Sequence, residues 1–582
     1  MIVDELGEAG VGSGDLVAVA LADGVGVGLA LPGTEWSGPL GEVDGPVSVV
    51  ADVEAALAPR WVVWSSATTL ALAQAGVRVA TCWDVAAVQR LLFGGWRADP
   101  ARVWAQLHDL PLTTMPSTGP VDLFSLAEAA DVDPEQPIRP DGYLAADWAG
   151  GEAWAATPAR LARWAALAAR VATEQQARLA ALSVEHPRVG MTARVESAAE
   201  LLCAEMTVAG LPVDRAQAEA IVAGFVGRRP RSDAEAAELR ARRDAEVLRH
   251  LPAGSHYDLR SPGQVRSLLR RVGIEVPDTR AWRLEALRDQ HPVVEALLVW
   301  RKAERVATTY GYGWLDQHLV PDGRLRGKWS GSDGAAGRMT ASAGLHNMPS
   351  DMRAAVLAEP GHVFVRADLG QIEPRVLAAV SGDRALAQAT HDDDMYAPVA
   401  RQLGVDRATA KVAVLGTMYG QTTGHSAHIL PRLRATYPVA MAYLEEADRS
   451  GQLGQDLRTY GGRLVRMGAT ATGDASLDEQ AARSRAAAQG RYGRNALVQG
   501  AAAELFKVWA ATVRTRGAEL DAEIVLCLHD ELLVHVPEAN GQATADLVAT
   551  SLHEAAHRWS PTPSVRFVAD VSVIPRWSDA KA

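Results

Sequence analysis

Lysine and cysteine are both scarce in this sequence, and a long apolar run is missing altogether. Only five lysines occur among 582 residues, so arginine supplies nearly all of the positive charge. The three cysteines lie far apart and match no zinc-binding spacing, which suits a reducing cytoplasm. No stretch approaches the roughly 20 apolar residues of a membrane helix, and the acidic start lacks the basic residues of a secretory signal. We therefore expect a cytoplasmic protein without a membrane segment.

The chain also has no excess of positive charge, but its negative charge is concentrated in one part of the sequence. The net charge is −12. Residues 1–150 contain six arginines, no lysine and 20 acidic residues, a balance of −14, so the remaining chain stands at +2. Binding to a phosphate backbone needs local rather than global positive charge. The region after residue 150 can therefore carry a basic groove on a neutral body.

The chain is too long for one hydrophobic core, and its length predicts about two to four domains. The first 110 residues contain the apolar runs LVAVALA, VGVGLALP, PVSVVA and RWVVWSS, which predict strands of an α/β unit. Residues 157–184 and 192–316 are patterned as helices around a linker over 183–191. Three further predictions concern the later segments: a strand over 362–369, helices over most of 374–449, and two strands around a tight turn over 523–536.

The segment VRADLGQIEPR (365–375) places an acidic residue at the end of a predicted strand. The strand ends in Asp368, and a helix is expected to begin near Glu373, because Pro374 suits the first turn of a helix. A carboxylate in this position can reach a metal ion over a cleft. The alternative is an Asp that starts a turn or caps a helix, the commoner role of a lone Asp.

The segment IVLCLHDELLVHV carries three polar residues, His529, Asp530 and Glu531, between two apolar strands. Hairpin turns favour Asn-Gly or Asp-Gly, so this turn breaks a local rule inside a well-formed context, which indicates a functional site. The alternative is an ordinary charged turn. Together with Asp368, the turn gives two strand-borne carboxylates, the pair that two-metal phosphoryl transfer with magnesium requires.

A third motif lies on a predicted helix. Arg407, Lys411 and Leu415 are spaced i, i+4 and i+8, so they share one helix face, and Tyr419 lies one turn further. Arg and Lys on one stripe can bind a triphosphate, and a Tyr at the helix end can stack on a base. The alternative, a solvated basic face, explains Arg407 but not a scarce Lys beside the apolar stretch VAVLGTMYG.

In order and spacing, the three motifs resemble motifs A, B and C of the DNA polymerase I family (family A). That family typically has D-Y-S-Q-I-E-L-R, R-x3-K-x7-Y-G and H-D-E, and this chain has DLGQIEPR, R-x3-K-x7-Y-G and HDE. Four further segments are similar to the family: AEMTVAGLPVD (204–214), YDLRSPGQVRSLL (257–269), GRMTASAGLHNMPS (337–350) and RYGRNALVQGAAAELFK (491–507). The resemblance covers about residues 190–582.

The resemblance implies a multidomain α/β and α+β fold. Residues 1–185 would form an RNase H-like domain similar to a 3′–5′ exonuclease. Residues 190–582 would form a right-hand polymerase with an antiparallel palm sheet. Its parts would be a thumb over about 192–325, a palm over about 326–380 and 455–582, and fingers over about 381–454.

The resemblance also assigns roles to single residues. Asp368 and Asp530 would bind two Mg²⁺ ions, which Mn²⁺ can replace, with help from the Leu369 carbonyl. Glu531 would be an accessory catalytic carboxylate, and Lys411 would donate a proton to pyrophosphate.

Deoxynucleoside triphosphate and primer-template DNA are the partners that the resemblance implies, for a protein expected to be a monomer. The nucleotide would meet Arg407, Lys411, Leu415, Tyr419, Glu373 and Gln371. Glu373, bonded to the Tyr419 hydroxyl, would exclude a ribose 2′-hydroxyl. The DNA would meet Arg338, Asn347, Arg491, Asn495, Gln499 and His529. Arg338 and Gln499 would probe the minor groove, where every base pair offers an acceptor.

Four positions depart from the family pattern. Leu415 stands where an aromatic residue usually lies against the sugar, and Tyr396 where a phosphate-contacting His is common. His346 replaces a Gln, and Gly370 replaces a Ser. These changes concern nucleotide affinity, speed and sugar discrimination, and they leave the metal ligands intact.

The N-terminal domain lacks the residues of a working nuclease. CWDVAAVQRLLFGG (82–95) resembles the exonuclease domain, which needs D-x-E on its first strand, but LVAVALADGVGVGLALPG contains none. WVVWSSATT has Ser, Ala and Thr where a catalytic Asp is expected, and Asp84 matches a structural position. We interpret the domain as a degenerate exonuclease, and the chain as too short to hold the family's 5′ nuclease as well.

The sequence therefore predicts a nucleoid-associated DNA-directed DNA polymerase that acts in repair or gap filling. Two alternatives stay open at this point. One is a bifunctional 3′–5′ exonuclease and polymerase, against which the missing carboxylates argue. The other is a non-catalytic DNA-binding scaffold, which would have no need of the metal-binding residues.

Overall fold

The computed structural model describes most of the chain: residues 2–33, 37–40, 45–116, 133–420, 428–468, 479–528, 530–561 and 564–580. The chain divides into two compact units. The first unit is Met1–Ala209, Lys328–Ala341 and Gly361–Val573, and the second is Gly210–Gly327, Ser342–Pro360 and Ile574–Ala582. Among the described residues, no helix combines the length and the apolar character needed to span a bilayer.

The first unit begins with a five-stranded mixed sheet. In chain order its strands are Leu16–Ala22, Gly26–Ala30, Ser37–Leu40, Arg60–Val63 and Thr81–Asp84. Across the sheet they lie in the order third, second, first, fourth, fifth. The first three are antiparallel neighbours, whereas the first, fourth and fifth run parallel. Helices connect the parallel strands, because parallel neighbours need a crossover connection.

Helices cover both faces of this sheet, as the side-chain alternation of a strand requires. Val17 and Val19 point into one core, and Ala18 into the other, where Trp164 of the helix Pro158–Leu182 also lies. That helix approaches so closely that a Cβ on Gly28 would lie 2.2 Å from the backbone of Leu161. Small side chains on the strands permit this contact.

One of the four predicted N-terminal strands is wrong. PVSVVA belongs to the helix Pro46–Leu57, whereas the other three runs form strands. Pro46 occupies the first turn, and the buried residues Val49, Val50 and Val53 follow helical spacing. The predicted linker over 183–191 is also shorter than expected, because the next helix begins at Val189.

A second sheet of the first unit carries the predicted carboxylates. Its four strands lie in the order Glu523–Leu528, Glu531–Pro537, His362–Leu369 and Ala569–Ile574. The second of these is antiparallel to the first and to the third. The predictions of a strand over 362–369 and of two strands around a tight turn are confirmed.

The remaining elements of the first unit are mostly helical. Its other α-helices are Ile2–Glu8, Ser66–Gln74, Val85–Phe93, Pro100–Leu107, Ala146–Ala149, Val189–Ala209, Ile372–Ser381, Arg384–Ala389, Tyr396–Leu403, Arg407–Met418, Leu430–Thr436, Pro438–Gln452, Glu479–Gly517 and Gly541–Trp559. Its 3-10 helices are Leu112–Thr114, Ala153–Ala155, Ala518–Leu520 and Glu538–Asn540. Its short strands pair as two hairpins, Trp329–Ser330 with Thr340–Ala341 and Leu457–Arg458 with Leu464–Val465.

The second unit is helical around its own apolar core. Its α-helices are Arg215–Val226, Asp233–Leu248, Pro262–Arg271, Ala281–Glu285, Pro292–Thr309 and Tyr312–His318. Its 3-10 helices are Arg288–Gln290, Leu345–Asn347, Ser350–Ala355 and Trp577–Ala580, and Leu211–Pro212 pairs with Arg324–Leu325. Val265, Leu268 and Leu297 are fully buried in its core. The helices predicted over 192–316 are confirmed.

Candidate active site

Two neighbouring strands bring the predicted metal-binding carboxylates together. Asp368 lies directly opposite Glu531 in the antiparallel pair. Asp530 lies in the turn before Glu531, and its carbonyl accepts a 2.9 Å hydrogen bond from the Leu369 amide. The turn is therefore fixed against the end of the strand that carries Asp368. His529, the third polar residue of this turn, lies outside the described residues.

The carboxylates crowd one another in a partly buried place. Burial, together with the nearby charges of Asp368, Glu531 and Glu373, raises the pKa of Asp530 to about 6. An excess of negative charge on oxygen ligands is the environment that hard divalent cations prefer. Asp368 and Asp530 are therefore the carboxylates of this site that could hold a divalent cation.

A cation of the protein itself lies beside these carboxylates, and the sequence motifs did not predict it. Arg366 donates to Glu531 at 2.6 Å and forms a close ion pair with Asp368. Burial lowers the pKa of Arg366, but the ion pairs outweigh burial and the pKa is raised. The sequence did show an Arg inside the apolar run HVFVRADL. It stands two residues before Asp368, and therefore on the same face of the strand.

A pocket of about 230 Å³ opens beside the predicted metal-binding carboxylates. Seven of the predicted site residues line it: Arg338, Leu369, Gln371, Glu373, Leu415, Tyr419 and Asp530. Tyr396, one of the departures from the family pattern, also lines it. Burial raises the pKa of Tyr396 to about 12, so this side chain is neutral at ordinary pH. Where His is common in the family, this chain thus has Tyr396, a neutral hydroxyl in place of a titratable imidazole ring.

Glu373 is the centre of a small network in this pocket. It accepts a 2.5 Å hydrogen bond from the Tyr419 hydroxyl, which confirms the predicted contact. Its other oxygen pairs with Arg338 at 2.8 Å. Burial, followed by the bond to Glu373, raises the pKa of Tyr419. The two partners hold the carboxylate in a fixed position at the pocket wall.

The predicted triphosphate residues lie on one helix, Arg407–Met418, with Tyr419 at its C-terminal end. Lys411 is exposed one turn after Arg407. Arg407 forms a close ion pair with Asp394, and Gln371 donates to the same carboxylate at 3.0 Å. Asp394 is a residue that the motifs missed, although the run HDDDMY marked an acidic cluster. The ion pair with Asp394 holds the Arg407 side chain at the start of this helix.

The predicted DNA contacts are distributed over both units. Arg491, Asn495 and Gln499 follow i, i+4 spacing on the helix Glu479–Gly517, so they share one helix face. The stem of Arg491 packs on Gly420, where a Cβ would lie 2.6 Å from it. Asn347 belongs to the second unit, where its carbonyl accepts a hydrogen bond from an arginine.

The backbone around motif A is fixed by one buried arginine. Arg375 donates to the carbonyls of Gly370, Thr390 and Asp393, among others. Gly370 stands where the family has Ser, and a Cβ there would approach a Val568 methyl to 2.8 Å. The departure therefore has a local steric reason.

Asp84 of the N-terminal sheet is a helix cap. It is 1% exposed and accepts a 2.7 Å hydrogen bond from the Ala87 amide at the start of the helix Val85–Phe93. Its own amide donates to the Ser197 hydroxyl at 3.0 Å. The first two strands of the sheet, LVAVALA and GVGLA, contain no acidic residue. This part of the chain thus presents no cluster of carboxylates on its first strands.

Comparison with known proteins gives consistent matches. Residues 232–579 match the sequence model of DNA polymerase family A. DNA polymerase I, thermostable, of Thermus aquaticus is 30% identical over 351 residues, 54% of this chain and 41% of that protein. DNA polymerase I of Deinococcus radiodurans is 26% identical over 382 residues, 58% of this chain and 38% of that protein. The chain thus spans less than half the length of these relatives.

A solved structure shares the fold over nearly the whole chain. The POL domain of Pol1 from M. smegmatis, in complex with DNA primer-template and dNTP, matches with a TM-score of 0.69. The match covers 99% of this chain and 98% of that one, at 22% sequence identity. Because the sequence match to the family takes in more than half of the residues, the chain belongs to DNA polymerase family A.

Proposed function

We propose that this chain is a DNA-directed DNA polymerase that adds deoxynucleotides to a primer 3′ end. The observation that carries the proposal is the position of Asp368 and Asp530 beside a pocket walled by Glu373 and Tyr419. A metal-binding carboxylate pair next to a pocket that can admit part of a nucleotide is what templated phosphoryl transfer needs. Family membership and the shared fold support the same activity.

In the proposed site, Asp368, Asp530 and the Leu369 carbonyl would hold two Mg²⁺ ions. The chemistry that the ions would supply is activation of the attacking hydroxyl and stabilisation of the charge on the leaving pyrophosphate. Arg407 and Lys411 bind the triphosphate, and Arg407 must exchange Asp394 for phosphate oxygens to do so. Lys411 donates a proton to the leaving pyrophosphate.

Sugar and base selection follow from the pocket wall in this proposal. Glu373 is already bonded to the Tyr419 hydroxyl, so a ribose 2′-hydroxyl would meet an occupied acceptor and a filled space. The Tyr419 ring stacks at the insertion site. Binding of the primer terminus releases Arg338 from Glu373 to reach the minor groove, where Gln499 makes the matching contact.

A primer-extension assay with magnesium tests the proposed function. Asp368→Ala and Asp530→Ala should each abolish nucleotide addition, because losing stabilisation of the transition-state charge costs on the order of several kcal/mol. DNA binding, measured in the same buffer, should stay nearly intact. Asp546→Ala, at an exposed position on the helix Gly541–Trp559, is the matched control and should extend the primer normally. Extension by either site variant at near wild-type rate contradicts the assignment.

For the N-terminal part, we propose an RNase H-like domain, over about residues 1–185, that has lost its exonuclease activity. The mixed strand order and the absence of acidic residues from the first two strands support this proposal. The buried cap position of Asp84 supports a structural role for that residue. The domain would serve as a packing partner, since Arg514 of the long helix donates to the carbonyls of Val79 and Ala80.

A labelled mismatched primer, offered with magnesium and without nucleotides, tests the second proposal. The protein should leave the primer 3′ end intact. Rapid shortening of the primer that persists in Asp368→Ala would mean that a second metal site works in the N-terminal domain, and it would favour a bifunctional enzyme.

A further inference from the structure

One guanidinium in the carboxylate sheet has no part in the function proposed above. Arg366 lies two residues before Asp368, so both side chains leave the same face of the strand. Its guanidinium meets carboxylates from three strands: Glu531 at 2.6 Å, Asp570 at 3.4 Å, and Asp368 in a close ion pair. Only 3% of the residue is exposed. The arrangement is thus a built ion cluster at the proposed metal site.

The cluster changes what Glu531 can do. An arginine fork holds a carboxylate in a fixed direction, because its donors lie in one rigid plane. Glu531 is itself buried, with 5% exposed, and directs an oxygen to the arginine Nε. Leaving that bond would take one of its three ion-pair partners from a buried guanidinium, which is costly. The bond therefore favours Glu531 as the partner of Arg366 over Glu531 as a ligand of a metal ion.

The cluster also changes the charge that a divalent cation meets. The carboxylates around the site are Asp368, Asp530, Glu531 and Glu373, and the described guanidiniums bonded to them are those of Arg366 and Arg338. A positive charge within bonding distance of a metal ligand repels an incoming cation, and the repulsion is strong in a partly buried place. A triphosphate brings further negative charge and offsets the repulsion.

On the basis of the proposed polymerase site, we infer that Arg366 is a positioning residue with a second effect on metal loading. It reserves Glu531 as its ion-pair partner and weakens divalent-cation binding at Asp368 and Asp530 until a nucleotide is bound. The two metals would then load together with the nucleotide rather than ahead of it.

Mn²⁺ binding to the full chain tests the inference, with free Mn²⁺ measured by electron paramagnetic resonance in the absence of DNA and nucleotide. Arg366→Gln removes the charge and keeps a hydrogen-bond donor, so Mn²⁺ should bind about tenfold more tightly than to the wild type. Arg366→Lys keeps the charge and should stay within about threefold of the wild type. Arg514→Gln, a buried arginine paired with Glu205 away from this sheet, is the matched control and should change nothing.

Glu531→Asp gives an independent test if Arg366→Gln does not fold. It keeps the negative charge beside Arg366 and shortens the side chain, so Mn²⁺ affinity should stay within about threefold of the wild type if Glu531 serves only as the ion-pair partner. A loss of about tenfold or more, as expected when a direct ligand is withdrawn from the metal, overturns the inference, as does unchanged or weaker Mn²⁺ binding by folded Arg366→Gln. Asp368→Asn tests the proposed metal site separately from the role of Arg366. If that variant binds Mn²⁺ like the wild type, the proposed metal site itself is wrong.

Discussion

Replacing Asp84 with Asn tests whether the carboxylate of this residue is structural or catalytic. Burial and the charge of Glu200 together raise the pKa of Asp84 to about 7, against the opposing effect of Arg90. One oxygen of Asp84 accepts the Ala87 amide, and the other has no hydrogen-bond partner. The charge is thus held in a place that stabilises it poorly. Asn keeps the capping oxygen and removes the charge.

The size and sign of the effect follow from the shift in pKa. Because the folded-state pKa lies above the ordinary value of 3.8, unfolding releases a proton between these two pH values. Folded protein with Asp84 therefore loses stability as pH rises toward about 7, and the loss then levels off. At about 1.4 kcal/mol per pKa unit, the penalty that Asn relieves reaches roughly 4 kcal/mol at most. The gain from Asp84→Asn should grow by about 2 to 3 kcal/mol between pH 5 and pH 8.

Thermal or denaturant unfolding at the two pH values, with and without magnesium, measures this gain. Asp99→Asn is the matched control, because Asp99 caps the helix Pro100–Leu107 through the same kind of bond but is half exposed. It should change stability equally at both pH values. Asp84→Ala should lose about 1 kcal/mol of capping energy relative to Asn. A gain for Asp84→Asn that is independent of pH would refute the reasoning, and magnesium-dependent stabilisation of the wild type alone would show Asp84 to be a metal ligand.

Three further predictions concern sugar selection and packing. Glu373→Ala should raise ribonucleotide incorporation, because it empties the space beside the Tyr419 hydroxyl; unchanged selectivity in competition assays would place the gate elsewhere. Leu415→Tyr adds a ring and a hydroxyl at the pocket wall and should raise dideoxynucleotide use about tenfold in chain-termination ratios, as a new hydrogen bond to the sugar would. An unmoved ratio would mean that Leu415 does not face the sugar. Lys507→Met removes a buried ammonium that donates to both Glu196 oxygens at 2.8 Å and should cost about 3 kcal/mol in unfolding experiments. A loss under about 1 kcal/mol would show that the pair is weakly coupled to folding.

The sequence by itself was enough for the elements that carry the site. The strand 362–369 and the turn before Glu531 follow from apolar runs bounded by polar residues, and the helix that begins at Arg407 follows from its i, i+4 spacing. It misassigned PVSVVA, because a short apolar run has the same local pattern in a buried strand and in a buried helix. Pro46 in the first turn and the spacing of Val49, Val50 and Val53 are the features that fit the helix.

The tertiary structure alone decided which charges meet. Arg366 and Asp570 are 204 residues apart, and Glu196 and Lys507 are 311 apart, yet each pair is in contact. No local pattern fixes such partners, because a buried charge is satisfied by any suitable group that folding brings within reach. The sequence thus determined where the carboxylates of the site stand along the chain. The fold determined that a guanidinium stands among them, that Asp394 holds Arg407, and that Asp84 is buried where its charge is poorly stabilised.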